Sequence, residues 1–314
     1  PESGLHISKD AGKTWKKVTK GLPGGHVGGM GIAISSVDRN VVYLIIEAQG
    51  KTGGFFRSVN RGASFEKMGD HSASGQYYNE IYADPVDVNS VYSVETISKV
   101  SRDGGKTWKS IGNNGRHVDD HALWVDPSDT KHFMIGTDGG VYESFDGGKN
   151  YIFKSNLPVT QFYRVAVDNT EPFYWVYGGT QDNNSFGGPN MNTTRGGVTH
   201  GEWKTTLGGD GFWQAIDPDD PNIVYSEYQY GNVSRIDKKS GERISIKPQP
   251  KKEELTHRWN WDAPMFISPH QGQTLYIAAN KVFKSTDRGH SWKTISEDLT
   301  RDEDRNQFKM MDKY

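Results

Sequence analysis

Short apolar runs alternate with Pro, Asp and Asn turns along the whole chain, and the runs come in pairs. IYA at 81–83 ends in Asp84-Pro85 and leads to VYSV at 91–94. ALWV at 122–125 ends in Asp126-Pro127 and leads to FMIG at 133–136. FWQAI at 212–216 ends in Asp217-Pro218 and leads to IVYS at 223–226. MFI at 265–267 ends in Ser268-Pro269 and leads to LYIA at 275–278. The same pairing joins 31–35 to 41–46 and 163–167 to 173–177. Each pair predicts an antiparallel hairpin closed by residues that favour turns. A third and a fourth strand follow each pair. The chain therefore reads as six four-stranded units, at 27–69, 77–112, 121–155, 161–205, 211–248 and 263–296, with half a unit at 4–19.

A second pattern marks the turn between third and fourth strands. SKDAGKTW begins at Ser8, SRDGGKTW at Ser101 and STDRGHSW at Ser285; SVNRGASF at Ser58 and SFDGGKNY at Ser144 are looser copies. The starts are 50, 43, 43 and 141 residues apart, and the last gap holds three repeats of 47. A period in that range means one supersecondary unit repeated, as in propeller blades. In each octet the Asp or Asn accepts from its own turn, and the Gly takes a positive φ. The closing aromatic is a strand former large enough to anchor one sheet on another. These Asp residues are committed to their turns and are not expected to be catalytic. The fourth and fifth units lack the octet, and SRIDKKSG at 234–241 keeps only a worn turn.

Composition narrows the class. The 314 residues suffice for one large propeller, read here as a single domain over 1–314. Aromatic residues reach 12%, with 9 Trp and 15 Tyr, which a disordered chain would lack. The 37 Gly and 13 Pro suit many short strands in an all-β protein. A net charge of −2 does not suggest a nucleic-acid partner. No apolar run is long enough for a membrane helix. With no Cys, disulfides and thiolate metal sites are excluded. Pro1 and a pattern that starts mid-unit lead to the expectation that the chain is a piece of a longer protein. A further segment or a partner chain would then complete the ring.

Propeller geometry places functional residues before first strands and after second strands, on the face opposite the octet turns. Those positions are polar. Before first strands stand Tyr77, Tyr78 and Asn79; His117, Asp119, Asp120 and His121; Asp210; and Arg258, Trp259, Trp261 and Asp262. After second strands stand Glu47, Glu95, Asp138, the trio Gln181, Asp182 and Asn183, and the pair Glu227 and Gln229. Five of six units put a carboxylate in that second loop. Carboxylates and amides that grip hydroxyls, beside indoles that stack on sugar rings, predict a carbohydrate site. Trp259 and Trp261 alternate, so one is expected to face the core and the other the loop surface. His117, Asp119, Asp120 and His121 form the one cluster suited to a divalent cation. Their spacing matches no standard zinc signature, so no cofactor is expected.

The octets resemble the Asp-box, or BNR, repeat of sialidases, sortilin-type receptors and xyloglucanases. RHVDDHALWVDPSDTKHFMIGTDGGVYESFDGGKNY, GGDGFWQAIDPDDPNIVYSEYQYGNVSRID and RWNWDAPMFISPHQGQTLYIAANKVFKSTDRGHSWKTIS are similar to large bacterial BNR-repeat proteins described as glycosyl-hydrolase-like or sortilin-like. The resemblance covers nearly the whole chain and implies a propeller that is extracellular or periplasmic; six full units and half of another lead to the expectation of an all-β ring of seven or more blades. A sialidase would need three convergent arginines. Arg116, Arg164, Arg195 and Arg258 form no clear triad. A xyloglucanase-like enzyme would use two carboxyls, acid and base. Asp210 and Asp120 are that pair, with Asp262 third. The alternative is a sortilin-like module that binds a peptide or partner chain without catalysis.

Overall fold

A computed structural model describes residues 3–73, 78–157 and 159–309. Almost everything regular in it is β. Among the described residues the only helices are two single 3-10 turns, His200–Glu202 and Arg305–Gln307. None is long and apolar enough to cross a membrane. Six sheets have four antiparallel strands each, hydrogen-bonded in chain order, and a seventh has two. This is the blade pattern of a β-propeller.

The contacts divide the chain into two compact units. Among the described residues the first holds 3–73, 78–157 and 304–309, and the second holds 159–303. The first contains the pair His6–Ile7 with Lys16–Lys17 and three blades. Blade one is Val27–Ile34, Val42–Ala48, Gly54–Ser58 and Glu66–Gly69. Blade two is Glu80–Ala83, Val91–Val94, Lys99–Ser101 and Lys109–Ser110. Blade three is Asp120–Val125, Phe133–Thr137, Gly140–Ser144 and Ile152–Phe153. Tyr77, one of the sequence candidates, lies outside the described residues.

The second strand of blade one shows how blades stack. Its apolar residues run without a polar break, and Tyr43, Leu44 and Ile45 have no exposed surface. Side chains alternate across a strand. Val42, Leu44 and Ile46 pack with Phe56, Val18 and Phe65 on one face. Tyr43 and Ile45 pack with Phe55 and with Ile81 and Val91 of blade two on the other. Both faces are buried, which is why this strand reads as a continuous apolar run.

The octet turns close in one way throughout. The Ser hydroxyl accepts from the Gly N–H four residues on, at 2.8–2.9 Å in all five copies. One oxygen of Asp10 accepts from Thr14 N at 2.9 Å and the other from the Thr14 hydroxyl at 2.6 Å. Asp103, Asp146 and Asp287 repeat this with Thr107, Asn150 and Ser291. Hydroxyl and backbone donors from Thr14 hold the Asp10 carboxyl down at about 2. The closing aromatics lean on the preceding sheet. Trp108 meets Phe55 edge-on at 5.0 Å, Tyr151 donates to Ile111 O at 2.9 Å, and Trp292 Nε1 donates to Ile246 O at 2.7 Å.

The Gly of the second complete octet is required twice over. Gly105 has φ +97°, and a Cβ there would lie 2.1 Å from Phe55 Cδ1. Gly105→Ala is expected to lower stability by about 2–4 kcal/mol, from backbone strain plus overpacking. Gly24, with no atom within 4 Å of an added Cβ, should tolerate Ala within about 0.5 kcal/mol. Urea unfolding of the two variants checks both values.

The second unit contains three blades. Blade four is Phe162–Val167, Trp175–Thr180, Ser185–Pro189 and Lys204–Leu207. Blade five is Gly211–Ile216, Ile223–Tyr228, Asn232–Asp237 and Arg243–Ser245. Blade six is Met265–Ile267, Leu275–Ala278, Val282–Ser285 and Lys293–Thr294. Tyr225 and Val233 of blade five pack with Met265, Ile277 and Phe283 of blade six, and Tyr177 of blade four packs with Val224 of blade five. The worn turn in blade five is an Asx turn, in which Asp237 accepts from Lys239 N and Ser240 N at 2.9 Å.

A polar latch recurs beneath the Asp-Pro and Asp-Asn turns. Asp84, Asp168 and Asp217 are all buried. Each cups its own turn through backbone N–H groups. Asp84 and Asp168 also accept from a second-strand tyrosine, Tyr92 at 3.2 Å and Tyr177 at 3.1 Å. Arg102, Lys238 and Arg288 supply the counter-charges, at 2.9, 3.5 and 2.8 Å. Lys238 and Arg288 reach back from the following blade, so charge as well as apolar packing ties blade to blade.

Candidate functional site

In the first unit the loop before blade three gathers most of the candidates. Asp119 takes a left-handed φ of +62° and accepts from the Tyr78 hydroxyl at 2.6 Å. Tyr78 is buried and stacks on His121 at 5.7 Å. His121 Nε2 donates to Asp138 Oδ1 at 2.6 Å, and Asp138 N donates to Asp119 O at 3.1 Å. Carboxylate oxygens of Asp119 and Asp138 come within 4.8 Å of each other. Carboxylate oxygens of this kind suit a hard divalent cation, and the His121 Nε2 is already engaged by Asp138. His117 lies beside them, its Nδ1 donating to Val118 O at 2.8 Å, and only a glycine at 139 leaves room for its ring.

Asp120, adjacent in sequence, has a different role. Its side chain is fully buried and pairs with both terminal nitrogens of Arg116, one at 2.9 Å. Its Oδ2 also accepts from Ser98 N of blade two at 2.9 Å. The remaining Arg116 donors reach Gly112 O and His117 O, and the guanidinium lies 4.9 Å from the centre of the Tyr151 ring. Both carboxylate oxygens are occupied and neither faces solvent, so Asp120 anchors blade three to blade two.

The shared loop position after second strands divides by burial. Glu95 is 3% exposed and pairs with Lys99 at 2.8 Å, while His71 Nε2 lies 3.7 Å away without a hydrogen bond. Glu47 is half-buried and accepts from Gly29 N at 3.3 Å. Burial pushes the His71 imidazole down to about 4.

The second unit brings its candidates into one connected rim. Asp210 Oδ1 accepts from Asp182 N at 2.7 Å, and Asp210 N donates to Gln229 Oε1 at 3.1 Å. Burial pushes the Asp210 carboxyl up, the Asp182 N–H opposes this, and the Asp182 charge adds to it. Asp182 itself is exposed and left-handed, φ +56°. Asn183 donates to Gln181 O at 2.8 Å, and Gln181 accepts from the Tyr163 hydroxyl. Tyr163 packs on Phe212 at 4.9 Å, two residues from Asp210.

The rim continues into the loop before blade six. Trp259 packs against Phe283 and the core, whereas Trp261 is 44% exposed. Trp261 O accepts from Tyr230 N at 3.1 Å, and the two rings meet edge-on at 5.1 Å. Asp262 Oδ2 binds Arg164 at 2.9 Å, and the Arg164 guanidinium lies 4.8 Å from the centre of the Trp213 ring. Glu227 is fully buried, and its Oε1 accepts from Ala263 N at 3.1 Å. Arg258 is drawn away to Asp298 and Asp302, each at 2.8 Å.

Sequence reading missed Tyr163 and Tyr230, and it treated Arg164 only as a loose member of an absent triad. Tyr230 stood one residue beyond Gln229 in a loop already singled out, so its signal was available.

The BNR/Asp-box repeat family matches residues 99–110, the second complete octet. Xyloglucanase Xgh74A of Acetivibrio thermocellus is 26% identical over 351 residues, which is 90% of this chain and 40% of that protein. The chain thus spans 40% of the length of the curated relatives it matches. Among solved structures, the GH74 xyloglucanase of Xanthomonas campestris superposes with a TM-score of 0.37 at 15% identity, over 93% of this chain and 42% of that one. YCF48 of Cyanidioschyzon merolae superposes with a TM-score of 0.33 at 12% identity, over 88% and 87%. Six four-stranded blades and five turns closed by the same hydrogen bonds, one of them matched by the BNR/Asp-box repeat, give this chain the fold of a β-propeller that carries Asp-box turns.

Proposed function

We propose that the chain binds a polysaccharide on the rim of its second unit, as a glycoside-hydrolase-like propeller acting outside the cytoplasm. The observation that carries this reading is the exposed corner of Trp261 and Tyr230, flanked by the Asp262–Arg164 pair and linked through Gln229 to Asp210. Flat aromatic faces beside paired polar groups suit a sugar ring, apolar on its faces and hydroxylated at its edge. The xyloglucanase relative points to a β-glucan backbone as the first ligand to try.

Where hydrolysis occurs, Asp210 is the general acid. Its burial beside Asp182 keeps the proton on at a higher pH than an exposed Asp would, as an acid catalyst requires. Asp182, exposed beside it, takes the role of base, and Asp262 orients Arg164. Asp120 belongs to the blade anchor and not to the chemistry.

Calorimetric titration with xyloglucan oligosaccharides tests the assignment. Trp261→Ala should weaken binding about tenfold, equivalent to about 1.4 kcal/mol. Asp210→Asn should keep the affinity and reduce any cleavage by about 10²–10⁴. Unchanged affinity in Trp261→Ala sinks the site.

A non-catalytic peptide-binding reading has one observation in its favour. The first strand of blade four leaves Val165 62% and Val167 56% exposed. Binding of apolar peptides that survives Trp261→Ala would support it over the glycan reading.

A further inference from the structure

Glu227 is the one candidate carboxyl in the second unit that sits wholly inside the protein. It lies near the end of blade five's second strand, Ile223–Tyr228, with no exposed surface. Its Oε1 is held by Ala263 N at 3.1 Å, on the loop that presents Trp259, Trp261 and Asp262. Its Oε2 is buried and has no hydrogen-bond partner among the described residues, and the same is true of Asp262 Oδ1. Glu227, packed against the loop, and Asp262, carried on it, are thus neighbouring carboxyl groups, each with a buried oxygen that lacks a partner.

The charges around Glu227 do not neutralise it. Asp262 is its acidic neighbour, and Arg164 takes up the Asp262 charge from the far side at 2.9 Å. Lys247 is the cation within range, but its ammonium lies 5.1 Å from the centre of the Trp259 ring and donates to Asn232 Oδ1 at 3.2 Å. Burial holds the Lys247 ammonium below the usual lysine range. A buried carboxylate without a bonded counter-ion is costly, so the group keeps its proton instead.

We propose that Glu227 is a positioning residue: its protonated carboxyl fixes the Trp259–Ala263 loop, and loss of that proton releases the loop and the Trp261 face it carries. The role given to Trp261 rests on the polysaccharide reading above, but the latch itself does not.

The physical sequence is short. Burial, opposed by backbone N–H groups of Ala263, Trp213 and Gly231 and reinforced by the Asp262 charge, pushes the Glu227 carboxyl up to about 8. Below that pH the neutral acid accepts from Ala263 N without strong repulsion of Asp262. Above it the Ala263 N–H bond to the carboxylate strengthens, but a second negative charge appears beside Asp262 in a dry setting, and the loop moves so that water solvates it. The linkage has a definite direction. At pH below 4.5 the folded and unfolded chains both carry this proton. Between 4.5 and about 8 only the folded chain does, so stability contributed here declines across that window and levels off above it.

The test uses the whole chain labelled with 5-fluorotryptophan, with the Trp261 resonance assigned by Trp261→Phe and followed from pH 6 to 10 without ligand. The wild-type resonance should shift along a single titration curve with a midpoint near 8. Glu227→Gln, which mimics the neutral acid, should hold the low-pH position throughout. A flat wild-type profile overturns the proposal, and so does an unchanged midpoint in Glu227→Gln. The wild-type curve decides the matter even where the variant fails to fold. Xyloglucan oligosaccharide titrations at pH 7 and pH 9.5 then separate the two ideas. Affinity should fall about tenfold in the wild type and stay level in Glu227→Gln. A ligand-free titration with no oligosaccharide bound at either pH keeps the latch and removes the polysaccharide reading.

Discussion

Arg116→Ala should destabilise the first unit by about 3–5 kcal/mol, because it leaves Asp120 as an uncompensated charge in the interior. The Arg116 and Asp120 side chains are both fully buried. Asp120 keeps only the Ser98 N–H at 2.9 Å once the guanidinium is gone, His117 O loses its Arg116 donor, and Gly112 O is left with the Tyr151 hydroxyl at 3.2 Å. Arg116→Lys should recover little, since an ammonium cannot make the two-pronged contact. The double replacement Arg116→Met with Asp120→Leu should recover most of the loss, because a well-packed apolar pair avoids the desolvation that the ion pair must offset. Urea unfolding of the four proteins checks the series. A double variant as unstable as Arg116→Ala would show that the contact is not limited by its buried charge.

The second large effect belongs to Asp217. This residue has no exposed surface; it cups Asp219 N and Asp220 N at 2.9 and 3.2 Å and binds Arg288 of blade six at 2.8 Å. Asp217→Ala strips acceptors from two turn N–H groups at once, and about 2–4 kcal/mol should be lost from the second unit. Arg288 is about a third exposed and can turn to water, so its own lost pairing adds little. Asp217→Asn should fall between the two, since an amide oxygen still accepts from the turn but no longer holds the charge. The readout is the urea midpoint at constant slope.

The blade pattern was legible because its determinants are local. An Asp that accepts from the residue four positions on, and a Gly at positive φ, need only the octet itself; Asp103 and Gly105 behave as the sequence implies. The Asp-Pro hairpins are local in the same way. The division of the contacts into two units was not legible, because it depends on which sheets share their packing.

The site was legible in its positions and not in its roles. Glu95, Asp138 and Asp182 follow second strands as read, whereas Glu47 and Glu227 stand inside the ends of theirs, and burial sets the five apart, from exposed Asp182 to enclosed Glu227. Asp119 and Asp120 are neighbours in sequence, but one faces Tyr78 and the other is gripped by Arg116. Burial comes from the sheets around a residue, and no spacing rule encodes it. Trp259 packs on the core and Trp261 lies on the surface, but alternation is not the cause: residues two apart on a strand share a face, and this stretch is loop, whose turn separates the two indoles.

The proposed ligand of the rim built from Trp261, Tyr230, Asp262 and Asp210 is a polysaccharide. The most direct measurement is the affinity of the whole chain for xyloglucan oligosaccharides, compared between wild type and Trp261→Ala at pH 7. The wild type should bind saturably and the variant about tenfold more weakly, with the fold intact by circular dichroism. Equal affinity in the two proteins, or no binding by a wild type offered β-glucans of several linkages, would contradict it.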